Sequence, residues 1–127
     1  MLKQFSKQPT VQMMGRYQPW HGGHRELFKQ ALKKTGQVAI FVRNMPVNND
    51  NPLTFSEVLE TITEDLTKHG FTLGKEYEIL QVPNIVDITY GRDVGYSITL
   101  ERLPDEIENI SATKIRELWK KEKLEMS

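Results

Sequence analysis

The run "QVAIFVR", Gln37 to Arg43, constrains this chain more than any other stretch. It is continuous in apolar, largely β-branched residues from Val38 to Val42, and so reads as a strand covered on both faces rather than one facing water. Such a strand calls for helices over a mostly parallel sheet, and the flanking sequence supplies them. Before it, "GHRELFKQALKKTG" sets Leu27, Phe28, Ala31 and Leu32 on one helical stripe and stops at Gly36. After it, "TFSEVLETITEDLTKHG" opens on Thr54 with Glu57 three residues on, repeats Val58, Leu59, Ile62 and Leu66 along one side, and closes at Gly70.

Further strand candidates are "TVQMM" (Thr10 to Met14), "YEILQV", "VDITYG" and "YSITLERL", and a last amphipathic helix is expected from Ser111 to about Lys123. This β-α-β-α-β order predicts an α/β fold: a Rossmann-like, doubly wound parallel sheet of about five strands with helices on both faces. The 127 residues suffice for one core and not for two, so residues 1–127 are expected to form a single domain. No internal repeat, low-complexity tract or linker interrupts them. Lys plus Arg equals Asp plus Glu at 17 each, so no overall field favours nucleic acid or an anionic membrane, and any anion site must be local. The absence of cysteine excludes disulfides, thiolate metal sites and a cysteine nucleophile, and agrees with a reducing compartment. "MLKQFSKQP" holds no apolar segment of signal-peptide length and nothing later approaches a membrane span, so a soluble, cytoplasmic protein is expected.

In parallel sheets ligands sit beyond the carboxyl ends of the strands, and one stretch stands there with unusual chemistry. "GRYQPWHGGHRELF" (Gly15 to Phe28) follows the first strand directly. His21 and His24 are three apart and share one face of a helix that begins near Gly22. First-turn amides and the helix dipole make phosphate a natural guest there, Gly22 and Gly23 allow close approach, Arg16 offers a fork of donors and Pro19 stiffens the loop. Read alone, the stretch also fits a Gly-Gly turn with two surface histidines. A zinc site would need a third ligand, and His69 is the only other histidine. A second such start is "NISATKIRE" (Asn109 to Glu117), where Ser111 and Thr113 cap a helix that carries Lys114 and Arg116. Two such starts suggest two walls of a polyphosphate site. "NMPVNNDNP" between them reads as a loop of functional length.

These residues carry a resemblance. "GRYQPWHGGH" resembles the signature Gly-Arg-Phe-Gln-Pro-Phe-His-x-Gly-His of the nucleotidyltransferase superfamily, in its archaeal-type nicotinamide mononucleotide adenylyltransferase branch. "ISATKIRE" resembles that superfamily's second motif, Ile-Ser-x-Thr-x-Ile-Arg, and "NPLTFSEVLETI", "ILQVPNI" and "DITYG" are similar to intervening segments of the branch. The resemblance implies attack of an acceptor's phosphate on the α-phosphate of a nucleoside triphosphate, with release of pyrophosphate. It implies His21, His24 and Arg16 as catalytic residues, with Gly15, Tyr17, Gly23, Gly91, Arg92, Ser111, Thr113 and Arg116 around the nucleotide; Arg43, at the ligand-side end of the second strand, fits the acceptor's phosphate or a solvated strand end. A Mg²⁺ ion bridging phosphate oxygens is implied too, and no dedicated carboxylate ligand is visible for it. Tyr17 and Trp20 fit equally a role packed beneath the loop, and Trp119 a place in the core or an oligomer contact. Relatives commonly self-associate, which leaves a homo-oligomer open.

Departures from the branch bear on the substrate. Glu57 is followed by Val58 where relatives usually carry arginine, and the region holding their nicotinamide-facing aromatic is reduced to "NIV". The acceptor is therefore left unnamed. Short chains of this kind are also similar to glycerol-3-phosphate cytidylyltransferases, but those usually begin Gly-Thr-Phe-Asp, so ATP is favoured over CTP. A nucleotide-binding module without turnover is the remaining alternative, and the presence of both histidines counts against it.

Overall fold

The computed structural model describes residues 3–92 and 95–100. In chain order these form α1 (Lys3–Lys7), β1 (Val11–Gly15), α2 (Gly22–Thr35), β2 (Val38–Arg43), α3 (Phe55–Lys68) and β3 (Tyr77–Val82). The strands make one parallel sheet in the order β1-β2-β3, with Met13 opposite Ile40 and Ile40 opposite Ile79. The α/β class and the parallel sheet are thus as expected. Each crossover carries one helix, and each helix ends as its sequence dictates. Thr54 accepts the Glu57 amide while Glu57 reaches back to the Thr54 amide, a reciprocal cap on α3. Gly36 closes α2 at φ 84°, where its N–H donates to the Leu32 carbonyl.

Alternate strand residues Met13, Val38, Ile40, Val42 and Tyr77 face a single core with Phe28 and Ala31 of α2 and Val58, Ile62 and Leu66 of α3. Phe28, Ile40, Ile62 and Leu66 are wholly buried, and each such side chain contributes roughly 1.5–3 kcal/mol by leaving water. Both long helices lie on the same face, tied by an ion pair between Arg25 and Asp65 at 2.7 Å. The strand order explains this: each step moves in one direction across the sheet, and right-handed crossovers then stack both helices on one side. On the other face Met14, Phe41, Leu80 and Val82 are half-buried, whereas "QVAIFVR" predicted helices on both sides.

Two expected strands differ. Val86–Gly91 and Tyr96–Leu100, the described part of "YSITLERL", are irregular, with Val86 84% and Leu100 76% exposed. The apolar alternation that predicted them is real (Val86, Ile88, Tyr90, then Tyr96, Ile98, Leu100), but a strand exists only where a neighbour completes its ladder, and these stretches pair with none of the three described strands. Three of about five expected strands are present among the described residues. The short helix α1, which the sequence reading did not anticipate, is held by Gln37, whose Nε2–H donates to the Phe5 carbonyl at 2.6 Å. The expected last helix, with Ser111, Thr113, Arg116 and Trp119, lies outside the described residues. No helix among the described residues is long and apolar enough to cross a membrane.

Candidate active site

The loop between β1 and α2 sits at the carboxyl edge of the sheet, beside the segment that follows β2. It is anchored there by side chains. Gln18, 4% exposed, makes a two-way bond with Leu53: its Nε2–H donates to the Leu53 carbonyl at 3.0 Å and its Oε1 accepts the Leu53 amide at 2.8 Å. Arg16 donates to Oδ1 of the buried Asn51 at 3.3 Å. Asn48 shapes that segment, its Oδ1 accepting the amides of Asp50 and Asn51. "NMPVNNDNP" is therefore a folded wall against the loop.

Tyr17 takes the left-handed region at φ 52°, uncommon outside glycine, and its ring packs back on Gly15. A Cβ on Gly15 would lie 3.1 Å from Tyr17 Cε1, so the glycine makes room for this ring. Tyr17 and Trp20 are each 4% exposed, and burial pushes the Tyr17 hydroxyl's pKa up. Of the two roles expected for these aromatics, packing beneath the loop is the one their burial describes.

The two histidines cap the start of α2. The Gly23 N–H donates to Nδ1 of His21 at 3.0 Å, and the His21 N–H donates to Nδ1 of His24 at 3.1 Å. The imidazoles play the parts that serine and glutamate play in an ordinary capping box. The geometry also fixes their chemistry. A ring nitrogen that accepts an N–H carries no proton, so each neutral ring holds its proton on Nε2. The rings lie 3.9 Å apart at 32°, and His24 also contacts Tyr17 and Trp20. Burial, and then the charge of neighbouring His21, lower the pKa of His24 to about 3. Burial lowers that of His21 as well. At neutral pH the site thus presents two uncharged imidazoles with Nε2–H donors. The Gly23 amide, expected to be open to an anion, is engaged by His21.

Arg43 ends β2 beside a small cleft lined also by Gln18, Asn44, Leu53, Phe55 and Gln81. Its Nη2 donates to Asn84 at 2.7 Å, and its Nε is buried with no partner among the described residues. Gly91 and Arg92 are exposed, and a Cβ at Gly91 would meet no protein atom within 4 Å. Ser111, Thr113 and Arg116 are not described. Among the described residues no group of three or more His, Asp or Glu could hold a metal ion. Asn48 and Asn51 lay in a stretch that the sequence marked only as a loop of functional length, and Asp65 in one that it marked only as a helix. Gln18 stood inside the quoted stretch, but its partner lies 35 residues away and no local pattern announces it.

A parallel α/β sheet with a polar, histidine-bearing loop after its first strand is a Rossmann-like arrangement. The chain belongs to the cytidylyltransferase-like family, whose model matches residues 13–98. It is 34% identical over 74 residues to a nicotinamide-nucleotide adenylyltransferase of Ignicoccus hospitalis, covering 57% of this chain and 43% of that protein. The counterpart from Saccharolobus solfataricus is 32% identical over 74 residues, with 57% and 42% covered. The chain therefore spans less than half the length of these curated relatives. Among solved structures, a bifunctional NMN adenylyltransferase/ADP ribose pyrophosphatase from Francisella tularensis matches at TM-score 0.51 and 29% identity, over 60% of this chain and 22% of that one. The same enzyme complexed with AMP and a Mn ion matches at TM-score 0.50.

Proposed function

We propose that this chain is a nucleotidyltransferase that moves AMP from ATP to a phosphate-bearing small-molecule acceptor and releases pyrophosphate. The observation that carries the reading is the pair of neutral imidazoles at the start of α2, each locked by its Nδ1 so that an Nε2–H is left to give. Such donors suit phosphate oxygens and do not suit a hard cation. In the reaction an acceptor phosphate oxygen attacks the α-phosphorus, a new P–O–P bridge forms, and the bond to the β-phosphate oxygen breaks with its electrons on pyrophosphate. The acceptor is already ionised at pH 7, so no strong base is required, and catalysis rests on alignment and on donors placed where charge develops.

In this scheme His21 and His24 donate to the triphosphate, Arg16 contacts phosphate, and Gly15, Tyr17 and Gly23 shape the loop that holds it. Arg43, with its spare buried Nε–H, binds the acceptor's phosphate. Gly91 and Arg92 are assigned to the base, and Ser111, Thr113 and Arg116 to the β- and γ-phosphates, on the family resemblance. Mg²⁺ fits as an ion held by phosphate oxygens and water, where it would neutralise the leaving group. The relatives' names make nicotinamide mononucleotide the first acceptor to try. The family's name keeps CTP with a sugar- or alcohol-phosphate as the second reading.

The test is pyrophosphate release from ATP or CTP with nicotinamide mononucleotide and other phosphate-bearing acceptors, alongside thermal shift with each nucleotide. Release from ATP, abolished in His24→Ala with nucleotide affinity kept within about threefold, is expected. Nucleotide binding without release from any pair would establish a binding module instead.

A further inference from the structure

The signature that the loop resembles has phenylalanine where this chain has Trp20. An indole brings an N–H that must be satisfied when the ring is buried, and Trp20 is buried. The acceptor comes from 45 residues downstream: Oδ2 of Asp65, on α3, takes the Trp20 Nε1–H at 2.8 Å. Oδ1 of the same carboxylate takes an Nη1–H of Arg25 at 2.7 Å. The ring nitrogen Nδ1 of His69 stands 3.6 Å from that oxygen and 2.7 Å from the Asp65 carbonyl. With a donor on each oxygen the carboxylate cannot turn without breaking a bond, so it fixes the direction of the indole. The indole in turn stacks on His24, centroids 5.4 Å apart at 29°, and both rings contact Tyr17.

We propose that Asp65 is a positioning residue for His24, acting through Trp20 and fixing where the His24 Nε2–H points. Asp65 touches no part of the loop's reacting face. Its role is geometric: the arginine and indole hold the carboxylate, the carboxylate holds the indole, and the indole holds the imidazole. Its consequence for turnover rests on the proposed nucleotidyl transfer, while its consequence for the imidazole does not.

The experiment compares wild type, Asp65→Asn, Trp20→Phe and the double variant, each checked for folding by circular dichroism. Histidine-ring NMR follows the His24 resonances and their titration, and steady-state kinetics follow turnover. In Asp65→Asn the His24 ring-current shift is expected to collapse and its pKa to rise by about one unit or more toward the ordinary value. The kcat should fall on the order of tenfold with the KM for ATP changed less than about threefold, as misalignment rather than lost binding requires. In the Trp20→Phe background, adding Asp65→Asn should move neither. Unmoved His24 resonances in a folded Asp65→Asn protein, or equal movement in both backgrounds, overturns the proposal. Should Asp65→Asn fail to fold, hydrogen exchange at the Trp20 indole in wild type decides: protection supports the proposal, and exchange at the rate of a free indole overturns it. A wild type that releases no pyrophosphate, yet shows the expected His24 responses, overturns the proposed reaction and leaves the positioning role standing.

Discussion

Replacing His24 by asparagine separates its two jobs. Asparagine Oδ1 stands two bonds from Cβ, where imidazole Nδ1 stands, so it can still accept the His21 N–H and keep the cap. What it removes is the titrating ring. Folded, His24 has its pKa pushed down to about 3; unfolded, it returns to the ordinary value of 6.5. The lowered pKa means that the unfolded chain takes up a proton first as pH falls, so stability rises with pH across this window. It is whole above 6.5 and is lost progressively toward the folded value. From pH 7.5 to pH 5.5 this one group should cost wild type about 1.4 kcal/mol, because the unfolded imidazole becomes about ten-elevenths protonated while the folded one stays neutral. At pH 4.5 the loss should reach about 2.7 kcal/mol. Urea unfolding of both proteins at the three pH values measures it as a difference of differences, so other groups cancel. At an m value of about 1.5 kcal/mol per M, the wild-type midpoint should fall about 1 M further than that of His24→Asn between pH 7.5 and 5.5. Parallel pH profiles for the two proteins would refute the reasoning, since they would mean that His24 titrates in the fold as it does in the unfolded chain.

Two further changes test the backbone around the site. Gly15→Ala places a methyl 3.1 Å from Tyr17 Cε1 and 3.2 Å from Cζ, so the buried ring must shift, and thermal unfolding should show a loss of about 1–3 kcal/mol; a change below about 0.5 kcal/mol would mean that the ring has room. Gly36→Ala meets nothing within 4 Å but must hold φ 84°, so its expected cost of about 1 kcal/mol is conformational, and an unchanged denaturation midpoint would show that α2 can end another way.

The local sequence wrote the elements. Capping signals at Thr54 and Glu57, the stop at Gly36 and the apolar run through Val38–Val42 each act over a few residues, and each forms where its pattern placed it. The histidine pair was equally legible as a motif at the start of a helix. Its electrostatic state was not, because whether an imidazole is neutral depends on what buries it and on which backbone N–H its Nδ1 accepts. The same limit holds for "VDITYG" and "YSITL", whose alternation states which side chains share a face but not whether a neighbouring strand is there to pair with them.

By itself, then, the sequence determined the α/β order, the helix ends and the place of the histidine-bearing loop, all of which follow from short-range backbone preference and periodicity. Only the tertiary structure decided that both long helices share one face, that Gln18 is clasped to Leu53, and that Asp65 reaches Trp20 from 45 residues away. Those contacts join residues that the chain keeps apart, and what sets them is the packing of one element against another rather than any pattern along either.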